Sequence, residues 1–222
     1  MATILSRVET VRLVLAASLA LVAVAALVQL WWGFLNIPSL RDAPAAVDGP
    51  RVSIVVAARD EERHVRLAMD SLLRQTYPHL ELIAVNDRST DVTGAILDGM
   101  ARADTRLRVV HIRDLPDGWL GKNHAMQAGA ASASGEMIIF TDGDVVLAPD
   151  AVARATRMFT ALELDHLGVA PDMRLPSWPL ALVVNYFMMW FLLWLRPWRA
   201  RDPRSAAFIG IGAFNMVRTS AF

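Results

Sequence analysis

Cysteine is absent from the 222 residues. That excludes disulfides and thiolate-held metals, and it leaves the compartment open, because reduced and oxidised locations both tolerate its absence. An excess of either charge is missing too: 22 Lys plus Arg stand against 22 Asp plus Glu. Without a broad basic field, nucleic acid is not an expected partner, and no acidic tail suggests a solvating role. Internal repeats and low-complexity tracts are also lacking. What the chain has in quantity is apolar character, 55% hydrophobic residues with seven Trp, which is high for a purely soluble domain.

Much of that character lies at the start. From Leu13 to Leu35, LVLAASLALVAVAALVQLWWGFL is interrupted only by the polar Ser18 and Gln29. A helix rising about 1.5 Å per residue needs about 20 such residues to cross a hydrocarbon core, so residues 1–35 are expected to form an N-terminal transmembrane anchor. Trp31 and Trp32 fall at its end, as interfacial indoles do, and Arg7 and Arg12 flank its beginning. A cleaved signal peptide is the competing reading, but the run exceeds the usual signal core and no clear small-x-small site follows. Arg41 and Arg51 after the span nearly balance Arg7 and Arg12 before it, so charge leaves the orientation undecided.

Residues 36–50, NIPSLRDAPAAVDGP, read as a Pro-rich linker. Beyond it, short Val- and Ile-rich runs at 52–57, 80–85, 107–112, 137–141 and 166–170 predict strands covered on both faces. Helical spacing joins Val65, Met69 and Leu72, then Val92, Ile96 and Met100 with Ser89, Thr90 or Asp91 as N-cap. NHAMQAGAASAS is made of small residues suited to close approach to a sheet, and Pro149 is placed to open a helix carrying Val152, Ala155 and Phe159. The alternation implies an α/β core over residues 51–175: a mostly parallel sheet flanked by helices, with ligands at the carboxyl ends of its strands. A second apolar stretch, 179–195, fits an interfacial helix best because Trp178, Trp190, Trp194, Trp198, Arg196 and Arg199 accompany it. A crossing and a buried core helix compete with that reading.

Three polar clusters end predicted strands: ARDEE after the first, NDRSTD after the second and TDGD after the fourth. One such Asp alone is usually a cap or turn residue; three aligned clusters suggest a site. Asp142 and Asp144 offer hard oxygen ligands to Mg²⁺ or Mn²⁺, leaving coordination positions for phosphate oxygens. Gly143 between them allows a sharp turn and close approach. In GWLGKNHAMQAG, Lys122 precedes a predicted helix; it is either a phosphate contact or a solvated side chain beside an Asn123 cap. His124 is given no catalytic role.

The ordered motifs SIVVAARDEE, IAVNDRSTD, GKNHAMQAGAASASGEMIIFTDGD and GIGAFNMVRTSAF resemble membrane-associated family-2 glycosyltransferases of the GT-A fold, over residues 52–222. LPDGWLGKNHA is similar to lipid-directed members such as hopanoid-associated and carotenoid glycosyltransferases. The resemblance implies a nucleotide-diphosphate sugar bound by Asp87 and by Ala57, Ala58, Arg59 and Glu61, within the stretch 57–61, with Lys122, Asp142 and Gly143 completing the donor pocket. It implies a metal at Asp142 and Asp144, with Asp144 the favoured direct ligand, and it puts Gly212 and Ala213 on the acceptor side, within residues 176–222. It implies inverting transfer to a lipid or membrane-associated hydroxyl, from an integral membrane protein whose globular part faces the cytosol and whose amino terminus lies outside. The family's base and its Gln-x-x-Arg-Trp motif follow the acceptor segment, so the base is expected after Phe222. No QxxRW is present, and the chain reads as the first part of a longer enzyme or as a truncated relative. Asp172 is a substitute base only against a better-supported role in a turn. Two rivals stay open: an aspartyl-phosphate phosphotransferase, whose Asp-x-Asp pair follows its first strand, and a non-catalytic membrane protein that binds a nucleotide-sugar or a partner.

Overall fold

A computed structural model describes residues 2–173, 175–202 and 204–222. In chain order the elements are α1 (Ala2–Asn36), β1 (Val52–Ala58), α2 (Val65–Leu73), β2 (Leu80–Asp87), α3 (Thr93–Ala103), β3 (Leu107–Ile112), α4 (Gly121–Ala131), β4 (Met137–Asp142), α5 (Ala151–Ala161), β5 (His166–Gly168), α6 (Trp178–Leu195) and β6 (Asn215–Arg218). They form two compact units. One joins residues 1–38 to 173–209, and the other joins 39–172 to 210–222. We call them the helical unit and the sheet unit.

The sheet runs in the order β3-β2-β1-β4-β6-β5. β3, β2, β1 and β4 are parallel; β6 is antiparallel to both β4 and β5. Covering of both faces explains why the apolar run of β1 is buried apart from the half-buried Ala57. Val52, Ile54, Val56 and Ala58 face a core shared with Met69 and Leu72 of α2, Leu97 and Met100 of α3, and Phe159 of α5. Val55 faces the other way, into a cluster with Ile83, Val85, Ile138, Phe140 and Ala125 of α4. The small residues of α4 do what their size predicts: a Cβ added at Gly129 would lie 2.3 Å from Val55 Cγ1 and 3.0 Å from Val85 Cγ2.

β2 leaves β1 on one side and β4 returns on the other, so the chain's direction across the sheet reverses at β1. The crevice at this reversal opens at the carboxyl ends, where Ala57 is in register with Asp142. At the amino ends, the Glu81 carboxylate accepts hydrogen bonds from Ser53 Oγ (2.5 Å), Ser134 N (2.6 Å) and Ser134 Oγ (2.8 Å).

Several local expectations change. β6 has only the four residues NMVR, too few and too polar at the ends to show as an apolar run; pairing of Met216 and Val217 with Ile139 and Ile138 makes it a strand. The segment read as the linker is largely part of the sheet unit from Ser39 onward. Ala46 N donates to Ala153 O, and Arg154 donates to the carbonyls of Arg41 and Ala43. α5 begins at Ala151 rather than at Pro149, whose carbonyl instead accepts from Thr76 N. α3 begins at Thr93, with Asp91 Oδ1 accepting from its N–H at 2.9 Å.

In the helical unit, α1 and α6 are apolar around their whole circumference. α6 has no buried residue among those described, so it is not packed into the core of the sheet unit. Arg196 ends it in the left-handed conformation, φ 49°, and Pro197 prevents its continuation. Trp198 then packs on α1 at Gly33, where a Cβ would lie 2.3 Å from the indole.

Candidate active site at the carboxyl ends of the strands

The loops leaving β1 and β2 brace each other. Asp60 N donates to Ser89 Oγ at 3.1 Å, Thr90 N to Asp60 Oδ1 at 2.7 Å, Glu61 N to Thr93 Oγ1 at 2.8 Å and Glu62 N to Asp91 Oδ2 at 3.1 Å. Each loop also holds a non-glycine residue in the left-handed region, Asp60 at φ 54° and Arg88 at φ 55°. Such backbone costs about 1–3 kcal/mol and persists where surrounding bonds over-determine it.

The turn at Arg88 folds its guanidinium back onto its neighbour. Asp87, 3% exposed, accepts from Arg88 Nε at 2.7 Å and Arg88 Nη2 at 3.1 Å. This bidentate bond is the main reason the Asp87 carboxyl is held below the usual carboxylate range; burial opposes it, and Arg88, Arg59 and His124 add favourable charge. Against the pair sits the first residue of α4. A Cβ at Gly121 would be 2.9 Å from Asp87 Oδ2 and 2.5 Å from Arg88 Nη2, so a side chain there would have to displace the carboxylate–guanidinium pair.

Lys122 follows, inside the first turn of α4 rather than ahead of it, because Leu120 is the N-cap and Asn123 lies within the helix. A cation there opposes the helix dipole, but its ammonium is 2.5 Å from Asp142 Oδ1. Gly212 packs against this ion pair: its Cβ would stand 3.1 Å from Asp142 Oδ2 and 3.3 Å from Lys122 Nζ. Ala213 is fixed beside it through its carbonyl, which accepts from Thr141 Oγ1 at 2.8 Å. Gly143 covers the end of β1, where its Cβ would be 3.1 Å from Ala58 Cβ and 3.4 Å from Ala57 O. Asp144 is exposed and makes no ion pair or side-chain hydrogen bond among the described residues.

Two continuous sets of contacts result. Asp87, Arg88 and Gly121 form one; Lys122, Asp142 and Gly212 form the other; adjacent residues of α4 join them. Arg59 reaches Asp60 at 3.8 Å and lends charge to Asp87. Glu61 turns away, its carboxylate 3.3 Å from His64 Nδ1 at the start of α2. Asp172 pairs with Arg41 at an exposed position and meets none of these groups.

Arg88 and His124 belong to the cluster although sequence reasoning gave them no role. His124 packs edge-on against Trp119 with ring centroids 5.5 Å apart, and its Nδ1 is buried without a partner. Its position three residues after Gly121, on the same side of α4, was the available signal.

Among the described residues no group of three or more His, Asp or Glu is arranged to hold a metal. Asp142 and Asp144 nevertheless suit a hard divalent ion that takes one or two carboxylates and completes its shell with phosphate oxygens. Gly212 leaves space beside Asp142 Oδ2 that any side chain would fill.

Similar sequence and a similar architecture recur in known proteins. EpsJ, an uncharacterized glycosyltransferase of Bacillus subtilis (strain 168), is 36% identical over 119 residues, 54% of this chain and 33% of its own length. A 4,4'-diaponeurosporenoate glycosyltransferase of Staphylococcus aureus (strain MRSA252) is 35% identical over 103 residues, 46% of this chain and 26% of its own. This chain therefore spans a third or less of those relatives. The mannosyltransferase PcManGT from Pyrobaculum calidifontis, solved in complex with GDP-Man and Mn2+, superposes with a TM-score of 0.63 at 22% identity, over 90% of this chain and 55% of that one. That likeness shows a GT-A-like fold. The description of glycosyl transferase family 2 matches residues 53–222, from β1 through β6 and every residue of the cluster, so the chain belongs to that family.

Proposed function

We propose that this chain binds the nucleotide-diphosphate sugar for transfer, with inversion, to a lipid or membrane-associated hydroxyl. The observation that carries the reading is the Lys122–Asp142 ion pair seated on Gly212 at the end of β4. A cation, a carboxylate and open backbone brought together at the carboxyl end of the sheet support assigning the pyrophosphate to this place.

In such a transfer the acceptor oxygen attacks the anomeric carbon opposite the diphosphate while a carboxylate takes its proton. Negative charge grows on the departing diphosphate, and Lys122 stands ready to meet it once released from Asp142. Mg²⁺ or Mn²⁺ held by Asp142 and Asp144 would supply Lewis-acid charge to the same oxygens. Asp87, with Ala57, Ala58, Arg59 and Glu61 on the neighbouring loop, is assigned to the nucleotide, and Gly143 to close approach of the donor. Gly212 and Ala213 are assigned to the acceptor side. Asp142, Asp87 and Glu61 are each engaged by a neighbouring cation or histidine, so none is assigned the role of base; the resemblance puts that carboxylate after the acceptor stretch.

The membrane part of the reading is supported by α1 and α6, both long and apolar enough to be candidate spans. For α6, connectivity favours the interface over a crossing. The chain leaves the sheet unit at Asp172 and re-enters it at Gly210. Were α6 to cross, the return segment with Arg196, Arg199, Arg201 and Arg204 would have to recross the hydrocarbon, at about 2.5–3.5 kcal/mol for each central Arg. With α1 as anchor, the sheet unit is assigned to the cytosolic face and the amino terminus to the other.

Thermal shift with GDP-mannose and UDP-glucose, each with Mn²⁺ or Mg²⁺ or with a chelator, tests the donor site. Stabilisation by at least one donor, dependent on the ion and weakened about tenfold in Asp144→Ala, is expected. Equal stabilisation in the chelator, or in Asp142→Ala with Asp144→Ala combined, would refute it.

A further inference from the structure

The segment after α6 concentrates positive charge that no carboxylate among the described residues answers. Residues 196–204, RPWRARDPR, hold four arginines against one aspartate. In the sheet unit, Arg41, Arg51, Arg88, Arg106, Arg154 and Arg218 each reach a carboxylate. Among the described residues, Arg196, Arg199 and Arg204 reach none. Only Arg196 has a side-chain bond, a long one from Nε to Leu193 O at 3.4 Å. Asp202 instead accepts from the backbone N–H of Arg204 at 2.9 Å.

Two successive turns gather these groups. Arg196 in its left-handed conformation followed by Pro197 reverses the chain, and Arg199 N donates to Arg196 O at 2.8 Å. A second turn, Ser205 N to Asp202 O at 2.9 Å, returns Arg204 to the same place. The result is an open depression of about 430 Å³ lined by Arg196, Arg199, Arg204, Ser205 and Trp194. The Ser205 hydroxyl oxygen accepts from Ala207 N at 3.1 Å, which leaves its proton for a ligand.

We propose that this depression holds the phosphate of an anionic phospholipid headgroup at the end of α6. Guanidinium forks match phosphate oxygens in charge and geometry. The end of an apolar helix with exposed Trp190 and Trp194 is where headgroups are met. The carboxyl end of α6 presents only about half a negative charge, against three full guanidinium charges. The site rests on the interfacial reading of α6 and is independent of sugar transfer.

The test uses the whole chain in neutral detergent, titrated with dioctanoyl phosphatidylglycerol or dioctanoyl phosphatidylcholine and followed by Trp fluorescence. Three arginines near a surface, each contributing several-fold, give an expected preference for phosphatidylglycerol of about 100-fold. R196Q/R199Q/R204Q loses that preference, while R196K/R199K/R204K, which keeps the charge, retains most of it and guards against a folding artefact. Equal affinity for the two lipids, or an undiminished preference in the Gln variant, would overturn the proposal. So would competition by millimolar glycerol 3-phosphate, which would make the ligand a soluble phosphate. Flotation with neutral phosphatidylcholine vesicles reads the membrane reading separately: flotation without headgroup preference sinks only the phosphate site, and no flotation sinks both.

Discussion

Ile54 and Leu21 are both large aliphatic side chains in regular structure, yet Ile54 has no exposed surface and Leu21 is 70% exposed. The contrast extends across the two units. In β1, apolar residues alternate between two faces, and each face finds a helix; in α1 and α6 they surround the helix, and one face at most finds a partner. A helix apolar all round belongs in the core of a large protein or at a membrane, and α1 and α6, largely exposed along their length, are long and apolar enough to be candidate spans. Hydrophobicity alone therefore does not distinguish the units. Its period does.

The sharpest way to break this comparison is the same substitution in both places. Ile54→Asp removes a buried side chain and leaves an unpaired carboxylate in the core beneath α2, α3 and α5, so loss of more than about 5 kcal/mol and failure to fold are expected. Leu21→Asp should leave urea unfolding of the sheet unit unchanged, and cost about 3 kcal/mol of membrane insertion, read by alkaline extraction. Equal loss of sheet stability in both variants would contradict the division. Gly129→Ala is the next largest effect. With 2.3 Å available to Val55 Cγ1, the added methyl forces α4 off the sheet, and about 3 kcal/mol of destabilisation is expected in urea melts. A neutral or stabilising outcome, normal for Gly to Ala at an exposed helical site, would show that α4 is not pressed against β1.

Val- and Ile-rich runs made the parallel strands legible, because burial on both faces demands unbroken apolar sequence. β6 escaped notice for the opposite reason: NMVR carries no such run, and only the edge offered by β4 makes it a strand. Asp87, Asp142 and Asp144 could be placed at strand ends from the sequence alone. Of their partners, Lys122 was grouped with Asp142 through the family resemblance, whereas Arg88 was not foreseen: it bonds Asp87 from a backbone that turns left-handed, φ 55°. His124 enters the cluster through the face of α4 that it shares with Gly121 three residues earlier, a spacing legible only once α4 is known to start there. Ser39 to Pro50 had the composition of a linker but are held by long-range bonds with Ala153, Arg154 and Tyr77 that local sequence does not encode.

Asp87 separates the sheet unit's site from its scaffold at acid pH. Its folded-state pKa lies below the ordinary value because Arg88 binds the ionised form. The stability it contributes is therefore complete above about pH 4, its unfolded value, and is lost as pH falls through the depressed folded value. Asp87→Asn should cost about 2 kcal/mol at pH 7, with the gap to the parent narrowing steadily below pH 4 in urea titrations. A constant gap would mean that Arg88 does not favour the charged carboxyl.

Tyr77 tests where the sheet unit begins. Its ring is 1% exposed, and its hydroxyl donates to Pro50 O at 2.6 Å, holding the segment that arrives from Ser39. Burial, then the charges of Asp48 and Glu136, push its pKa up to about 12. An unfolded Tyr ionises near pH 10, so the unfolded state gains between pH 10 and 12 while the folded state keeps its proton, and stability falls as pH rises through that window. Tyr77→Phe loses the bond to Pro50, about 1 kcal/mol at pH 7, but also loses this alkaline penalty. The two unfolding curves should converge from pH 10 upward, and proteolysis between residues 43 and 50 should accelerate in the variant at neutral pH. If the bond to Pro50 is what joins that segment to the sheet, both changes appear together; convergence without faster cleavage would leave the boundary nearer Arg51.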